Sequence, residues 1–275
     1  MTTRTPLHPT PIELRHLDAG YSRILVRDVN VAFGRGKITC ILGPSGKGKS
    51  TLLRHILLLN RPLGGRLLID GADLLTASDE AVRDFRRRVG VLFQGAALFN
   101  SLTLAENVAF PILERGGTTE SLALAIARQK LALVGLADFA EYRPSAVSGG
   151  MKKRAGIARA MALDPEFLFL DEPSAGLDPV TAADLDVLIK DVRDRFGTTI
   201  IVVTHELASL HTIADDLVML GDGAVLAQGP LATVAANPHP DIVAFFGRHP
   251  AVERAAAGTF AGRLGPVSAP DRMRT

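Results

Sequence analysis

Gly43-Pro44-Ser45-Gly46-Lys47-Gly48-Lys49-Ser50 constrains this chain more than any other stretch, because it matches the G-x-x-x-x-G-K-[ST] spacing of a phosphate-binding loop. An apolar, β-rich run, Lys37-Ile38-Thr39-Cys40-Ile41-Leu42, precedes it, and a helical run, Ser50-Thr51-Leu52-Leu53-Arg54-His55-Ile56-Leu57, follows. That is the strand–loop–helix setting the motif requires, which separates it from a chance glycine-rich turn. Glycines let the backbone curl so that N–H groups point inward, and the helix N-terminus adds partial positive charge. Residues Gly43 through Thr51 are therefore expected to cradle a nucleotide triphosphate. Lys49 is expected at the β- and γ-phosphates and the Ser50 hydroxyl on Mg²⁺. Lys47 falls at a variable position of the loop and is expected to matter less.

A chain of 275 residues with 47% hydrophobic content can bury one sizeable core and a smaller lobe. Its formal net charge of +2 is spread among both signs, so no electrostatic argument for a nucleic-acid partner arises. The local cluster Arg83, Arg86, Arg87 and Arg88 reads as a solvated helix face, with a partner or lipid headgroup contact as the alternative. A single cysteine, Cys40, excludes a disulfide framework and reads as a buried structural thiol. No apolar run approaches the ~20 residues of a membrane span, and the N-terminus lacks the apolar core of a signal peptide, so a cytosolic chain is expected.

Residues 12 to 33 alternate apolar and polar positions around Gly20 and Asn30, read as turn residues, which predicts a small antiparallel sheet ahead of the loop. Further strands are expected at Leu67-Leu68-Ile69, Val89 to Phe93, Phe167 to Leu170 and Thr199 to Val203. The last two are wholly apolar and flank a helix from about Val180 to Arg195, which implies parallel strands covered on both faces. From about 96 to 163 the pattern is helical, with Leu122, Ile126, Leu131 and Leu133 among its apolar positions. A short amphipathic piece is expected near 241–246, and a mobile tail beyond about 249.

Phe167-Leu168-Phe169-Leu170-Asp171-Glu172 is a buried strand ending in two carboxylates, and ligands bind at the ends of parallel strands. Asp171 suits Mg²⁺ and Glu172 suits the activation of a water molecule; an N-cap for the next helix is the competing reading. His205 ends the neighbouring apolar strand, which sets it apart from the ordinary His8, His16, His55, His211, His239 and His249.

At Ser148-Gly149-Gly150, followed by Met151-Lys152-Lys153-Arg154, the chain resembles the ATP-binding subunits of ABC transporters over roughly residues 12 to 248. The family's elements occur in order: the phosphate loop, a glutamine loop at Gln94, the Ser148-Gly149-Gly150 signature, Asp171 and Glu172, a D-loop ending at Asp178, and the switch histidine His205. The resemblance implies an α/β P-loop NTPase of ABC ATPase fold, with a mixed-sheet core, an antiparallel β lobe and a helical subdomain at about 96–163 bearing the signature. It also implies two copies sandwiching two ATP molecules, with Ser148, Gly149 and Gly150 facing the phosphates held by the other copy. By similarity Lys49, Glu172, His205 and Gln94 are catalytic, while Ser50, Gln94 and Asp171 organise Mg²⁺. Asp178 joins the nucleotide-binding set, and Tyr21 is the candidate for stacking on adenine.

The departures at Met151-Lys152-Lys153-Arg154 and Phe93-Gln94-Gly95-Ala96-Ala97-Leu98-Phe99 resemble the ATPases of Mce- and Mla-type phospholipid-trafficking systems. So do Leu104 to Pro111 and Asn237 to Asp241 with Phe245-Phe246. The implied partners are integral-membrane permease subunits and an Mce-domain protein, with the chain peripheral on the cytoplasmic face of the inner membrane. Another small-solute ABC importer is the alternative. Translation factors with paired nucleotide domains, repair ATPases with long heptad insertions and P-loop kinases fit less well.

Overall fold

Ten strands, nine α-helices and two short 3-10 turns occur along residues 9 to 247, the part of the chain described by the computed structural model. The expected tail beyond 249 lies outside the described residues. The strands β1 (Ile12–Gly20) and β2 (Ile24–Phe33) form a hairpin, and β3 (Ile38–Leu42) leads through the glycine loop to α1 (Lys49–Ile56). Then come β4 (Gly64–Ile69), β5 (Ala72–Asp73), α2 (Asp79–Arg87) and β6 (Val89–Leu92). Three helices follow: α3 (Leu104–Arg115), α4 (Glu120–Leu133) and α5 (Gly149–Ala160). The order continues with β7 (Phe167–Asp171), α6 (Pro179–Phe196), β8 (Thr199–Val203), α7 (Leu207–Ile213), β9 (Asp216–Gly221), β10 (Ala224–Gly229), α8 (Leu231–Ala235) and α9 (Pro240–Gly247).

One sheet is antiparallel, with order β2-β1-β4-β5; the other runs β10-β9-β3-β8-β7-β6. In the second sheet β9, β3, β8, β7 and β6 are parallel, and only β10 pairs antiparallel, to β9. Strands β3, β7 and β8 are buried along their whole length, as continuous apolar runs in a covered parallel sheet should be. Their alternate residues serve two cores. Cys40, Leu168 and Val202 face the helices of the 104–213 segment, whereas Ile41, Phe169 and Val203 face α1 and the antiparallel sheet. Each fully buried side chain of this size stabilises by about 1.5–3 kcal/mol relative to exposure.

Several expectations change in detail. Asn30 is not a turn residue: it lies inside β2, where its Oδ1 accepts from the His16 N–H (2.9 Å) and its amide donates to the Asp28 carbonyl (2.9 Å). His16 and Asp28 both adopt left-handed φ of 51°, and the β1–β2 register shifts beside them, so the polar side chain satisfies a bulge instead of a turn. The turn is at Gly20, where a Cβ would lie 2.1 Å from the Arg23 carbonyl. Arg88 also leaves the solvated face assigned to its cluster. It ends α2, sits over the Phe167 ring at 5.0 Å and pairs with Asp70 and Glu166. In α4, Leu131 is buried but Leu122 and Leu133 are exposed, because the buried stripe runs through Ala123, Ala127 and Leu131.

Candidate functional site

Three parallel strands end side by side, and each delivers a polar group from the residues just beyond it. β3 opens into the glycine loop, β7 ends at Asp171 and Glu172, and β8 is followed by Thr204 and His205. Two glycines shape the loop. Gly43, at φ 146°, would place a Cβ 2.4 Å from the Leu220 carbonyl, and Gly48, at φ 90°, would place one 2.4 Å from Val26 Cγ2. A side chain at either position would push the loop off the sheet. Gly48 is the N-cap of α1 without any side-chain cap, so the first N–H groups of the helix keep their donors for a ligand.

Lys49 is buried, and its Nζ donates to the carbonyls of Gly43 (2.7 Å) and Pro44 (3.0 Å). Burial pulls its ammonium below the ordinary lysine range, against the opposing pull of Glu172 and Asp171. The Ser50 hydroxyl donates to Asp171 Oδ1 at 3.0 Å. Burial raises the Asp171 carboxyl, with the Ser50 hydrogen bond acting in the opposite direction. A hydroxyl and a carboxylate at this spacing form the hard-oxygen donor pair that Mg²⁺ shares with phosphate oxygens and water. Gln94 Nε2 donates to Glu172 Oε2 at 2.9 Å, and His205 Nδ1 lies 3.2 Å from Glu172 Oε1. Glu172 itself is left-handed, φ 49°, its N–H donating to the Val203 carbonyl at 2.8 Å. A carboxylate clasped between an amide and an imidazole at a strand end is placed to accept a proton from water.

The structure thus gathers Lys49, Ser50, Gln94, Asp171, Glu172 and His205 around one strand-end crevice. Ser148, Gly149 and Gly150 stand elsewhere. Ser148 caps α5, accepting from the Met151 N–H at 3.2 Å, and Gly150 packs so closely on α6 that a Cβ would meet Thr181 Cγ2 at 2.4 Å. Asp178 is engaged as the cap of α6, accepting from the N–H groups of Val180 (3.1 Å) and Thr181 (3.0 Å) and from the Thr181 hydroxyl (2.6 Å). The Thr181 hydrogen bonds hold its carboxyl below the usual range. Lys47 forms an ion pair with Asp222 in the β9–β10 turn. Tyr21 is half exposed after β1; its ring meets His55 edge-on at 6.2 Å, and its hydroxyl accepts from Arg54 at 3.4 Å. His55, expected to be ordinary, is fully buried and bridges the carbonyls of Thr51 (2.7 Å) and Gly20 (2.9 Å), fastening α1 to β1.

Two features of the site are not legible in the sequence. α9 lines a cavity of about 310 Å³ with Asp241 and Phe245 facing Gly43, Pro44, Ser45 and His205. Its amphipathic pattern is visible along the chain, but its docking beside the loop is a tertiary fact. The second is Lys153, a buried cation on α5 whose position next to the signature is plain but whose partners are not.

A strand-end phosphate loop facing a paired carboxylate, on a mixed sheet with an antiparallel lobe and a separate helical layer, defines a nucleotide-binding domain of the cassette type. The chain belongs to the ABC transporter family, whose profile matches residues 26–175. The methionine import ATP-binding protein MetN 1 of Rhodococcus jostii is 40% identical over 218 residues, 79% of this chain and 64% of that protein. The probable ribonucleotide transport ATP-binding protein mkl of Mycobacterium bovis is 41% identical over 226 residues, 82% of this chain and 63% of that one. The chain therefore spans just under two thirds of the length of these relatives. Among solved structures, the ATP-binding cassette MJ0796, a dimer in a post-hydrolysis state with ADP and Pi, superposes with a TM-score of 0.73 at 30% identity. That match covers 80% of this chain and 98% of that one. CbiO1 of Clostridium perfringens, part of a cbiONQ transporter complex, superposes at 0.76 with 26% identity, over 91% of this chain and 98% of that one. No helix among the described residues is long and apolar enough to cross a membrane.

Proposed function

We propose that this chain is the ATP-binding and ATP-hydrolysing subunit of a membrane ABC transporter, working as a pair of copies. The observation that carries the reading is the clasp of Glu172 by Gln94 and His205 opposite the Ser50–Asp171 pair. In this reading Lys49 and the loop amides of residues 43–51 hold the β- and γ-phosphates, and Tyr21 stacks on adenine. Ser50 and Asp171, with Gln94, hold Mg²⁺, which supplies charge neutralisation at the phosphates when bound. Glu172 accepts the proton of the attacking water, and His205 contacts the γ-phosphate. Ser148, Gly149 and Gly150 complete the site of the other copy through the N-terminus of α5. Hydrolysis then removes the charge bridging the copies, shifting the pair toward an open state that membrane subunits feel. Magnesium-dependent phosphate release by the full chain, abolished by Glu172→Gln, tests this assignment.

The cargo in our reading is phospholipid, moved with permease subunits and an Mce-domain protein at the cytoplasmic face of the inner membrane. Its support is the Met151-Lys152-Lys153-Arg154 signature variant and the Phe93 to Phe99 loop. Import of a small solute is the second reading, favoured by the 40% identity to a methionine import protein. Purifying the chain with its native membrane subunits separates the two. An Mce-domain protein in the complex supports lipid trafficking, and a solute-binding protein supports import.

A further inference from the structure

Lys153 is buried at 6% exposure, and its ammonium is surrounded by main-chain carbonyls in place of a carboxylate ion pair. Taking an ammonium out of water is costly, so packing alone favours an apolar side chain here. Nζ donates to two carbonyls from different loops: that of Gln94, after β6, and that of Glu172, after β7, the latter at 3.0 Å. Lys153 sits on the first turns of α5, close to the Ser148 cap. Six residues farther along the same helix, Arg159 donates to the carbonyls of Ala96 and Ala97, both at 2.7 Å, where the backbone is left-handed at φ 58° and 50°. One helix therefore grips the Gln94 loop at two points.

We propose that Lys153 is a positioning residue that ties the signature end of α5 to Gln94 and Glu172, so that a shift of α5 re-aims the groups that handle the attacking water. The inference rests on the ATPase reading and adds to it a mechanical link within one copy. Its force lies in the backbone of Glu172. A non-glycine residue in the left-handed region needs its peptide groups held from outside. The Glu172 N–H is held by Val203, and its carbonyl by Lys153 together with the Ala175 N–H. Withdrawing the ammonium leaves that carbonyl with the 3.3 Å Ala175 contact alone and so loosens the peptide that aims the Glu172 side chain at Gln94 and His205. The same loss frees the Gln94 carbonyl, so both partners in the clasp loosen together. Burial lowers the ammonium from its ordinary range while Glu172, Asp171 and Glu206 counteract it.

The test compares the full chain with Lys153→Met, Lys153→Gln and Lys153→Arg, reading ATP turnover, affinity for a non-hydrolysable ATP analogue, and melting temperature. Lys153→Met keeps the length of the side chain and removes its donors. We expect kcat to fall at least about tenfold with analogue affinity within about twofold, and Lys153→Arg to recover most of the loss. Unchanged kcat in a folded Lys153→Met chain overturns the inference, as does a parallel loss of affinity, which would make Lys153 a ligand contact. If Lys153→Met does not fold, Lys153→Gln takes its place, and the same two results overturn the inference. A wild-type chain that fails to hydrolyse ATP overturns the ATPase reading and this inference with it, whereas wild-type turnover with an unaffected variant overturns this inference alone.

Discussion

Lys49 and Gly43, at opposite ends of the glycine loop, are joined by a 2.7 Å hydrogen bond from the lysine ammonium to the glycine carbonyl. The ammonium is thus stored inside the loop on acceptors that bind it more weakly than phosphate oxygens do. Lys47, two residues earlier, is committed to Asp222 at the protein surface. We predict near-complete loss of hydrolysis for Lys49→Ala. For Lys47→Ala we predict a few-fold change, about 1 kcal/mol or less. Steady-state phosphate release decides between them, and equal losses would remove the distinction between the two lysines.

Glu172→Gln keeps the shape of the side chain and a hydrogen bond to Gln94 or His205, but not the proton acceptor. Turnover should fall by about two orders of magnitude or more while ATP still binds. Bound ATP should then hold two copies together, a mass doubling that size-exclusion chromatography with light scattering registers. Wild-type rates in this variant would exclude Glu172 as the base.

Phe99 and Phe110 meet at 5.0 Å on the rim of a groove of about 310 Å³ that also takes in Val91, Pro111 and Leu163. Phe99 is 45% exposed, yet its backbone is pinned by the fully buried Asn107, which accepts from its N–H (2.7 Å) and donates to its carbonyl (3.0 Å). The fold therefore commits a buried polar side chain to presenting an exposed ring. Phe99→Ala should leave melting temperature and ATP affinity intact while weakening co-purification with the permease, in the manner of a helix received by a groove. A drop of several degrees with partner binding retained would assign the ring to the core.

Gly90 in β6 lies against the end of α5, where a Cβ would fall 2.2 Å from the Ala160 carbonyl and 3.0 Å from Pro165 Cγ. Neither backbone can yield without lifting the helix from the sheet. Gly90→Ala should cost about 1–3 kcal/mol, measurable by urea unfolding. A neutral result would mean that α5 tolerates displacement from the sheet.

Asp186, on α6, keeps one carboxylate oxygen buried without a hydrogen-bond partner, and burial raises its carboxyl from 3.8 to about 6. The folded chain holds this proton more tightly than the unfolded one, so stability falls as pH rises from about 4 to about 6 and stays lowered above that. Asp186→Asn should therefore stabilise the chain at pH 7 by about 1–2 kcal/mol, a gain that shrinks toward zero at pH 4. Thermal unfolding at the two pH values checks it, and a pH-independent difference would contradict the assignment.

How much of this chain can be read from its residues depends on the range of the interactions involved. The glycine loop, the Asp171–Glu172 strand end and the parallel strands are written in contiguous residues, and each stands where the local pattern puts it. Asn30 misleads because an asparagine that satisfies a bulge and one that makes a turn look alike until His16 is placed opposite it. Arg88 misleads because its partners Asp70 and Glu166 come from distant segments. Lys153 is the hardest to read: in a helix a lysine signals solvent, and only the tertiary meeting of α5 with two strand ends reveals carbonyls in its place.

Strand β3, which supports the glycine loop, is hydrogen-bonded on one side to β8 and on the other to β9, its Thr39 lying opposite Ile201 and Asp216. Its flanks are thus completed by residues made some 160 to 180 positions later in the chain. During synthesis an apolar strand with two open edges must wait, at about 5–20 residues per second, for both neighbours to emerge. The glycine loop is thus made early while the strand that supports it is completed late, and the unpaired β3 is the segment most exposed to wrong partners until then.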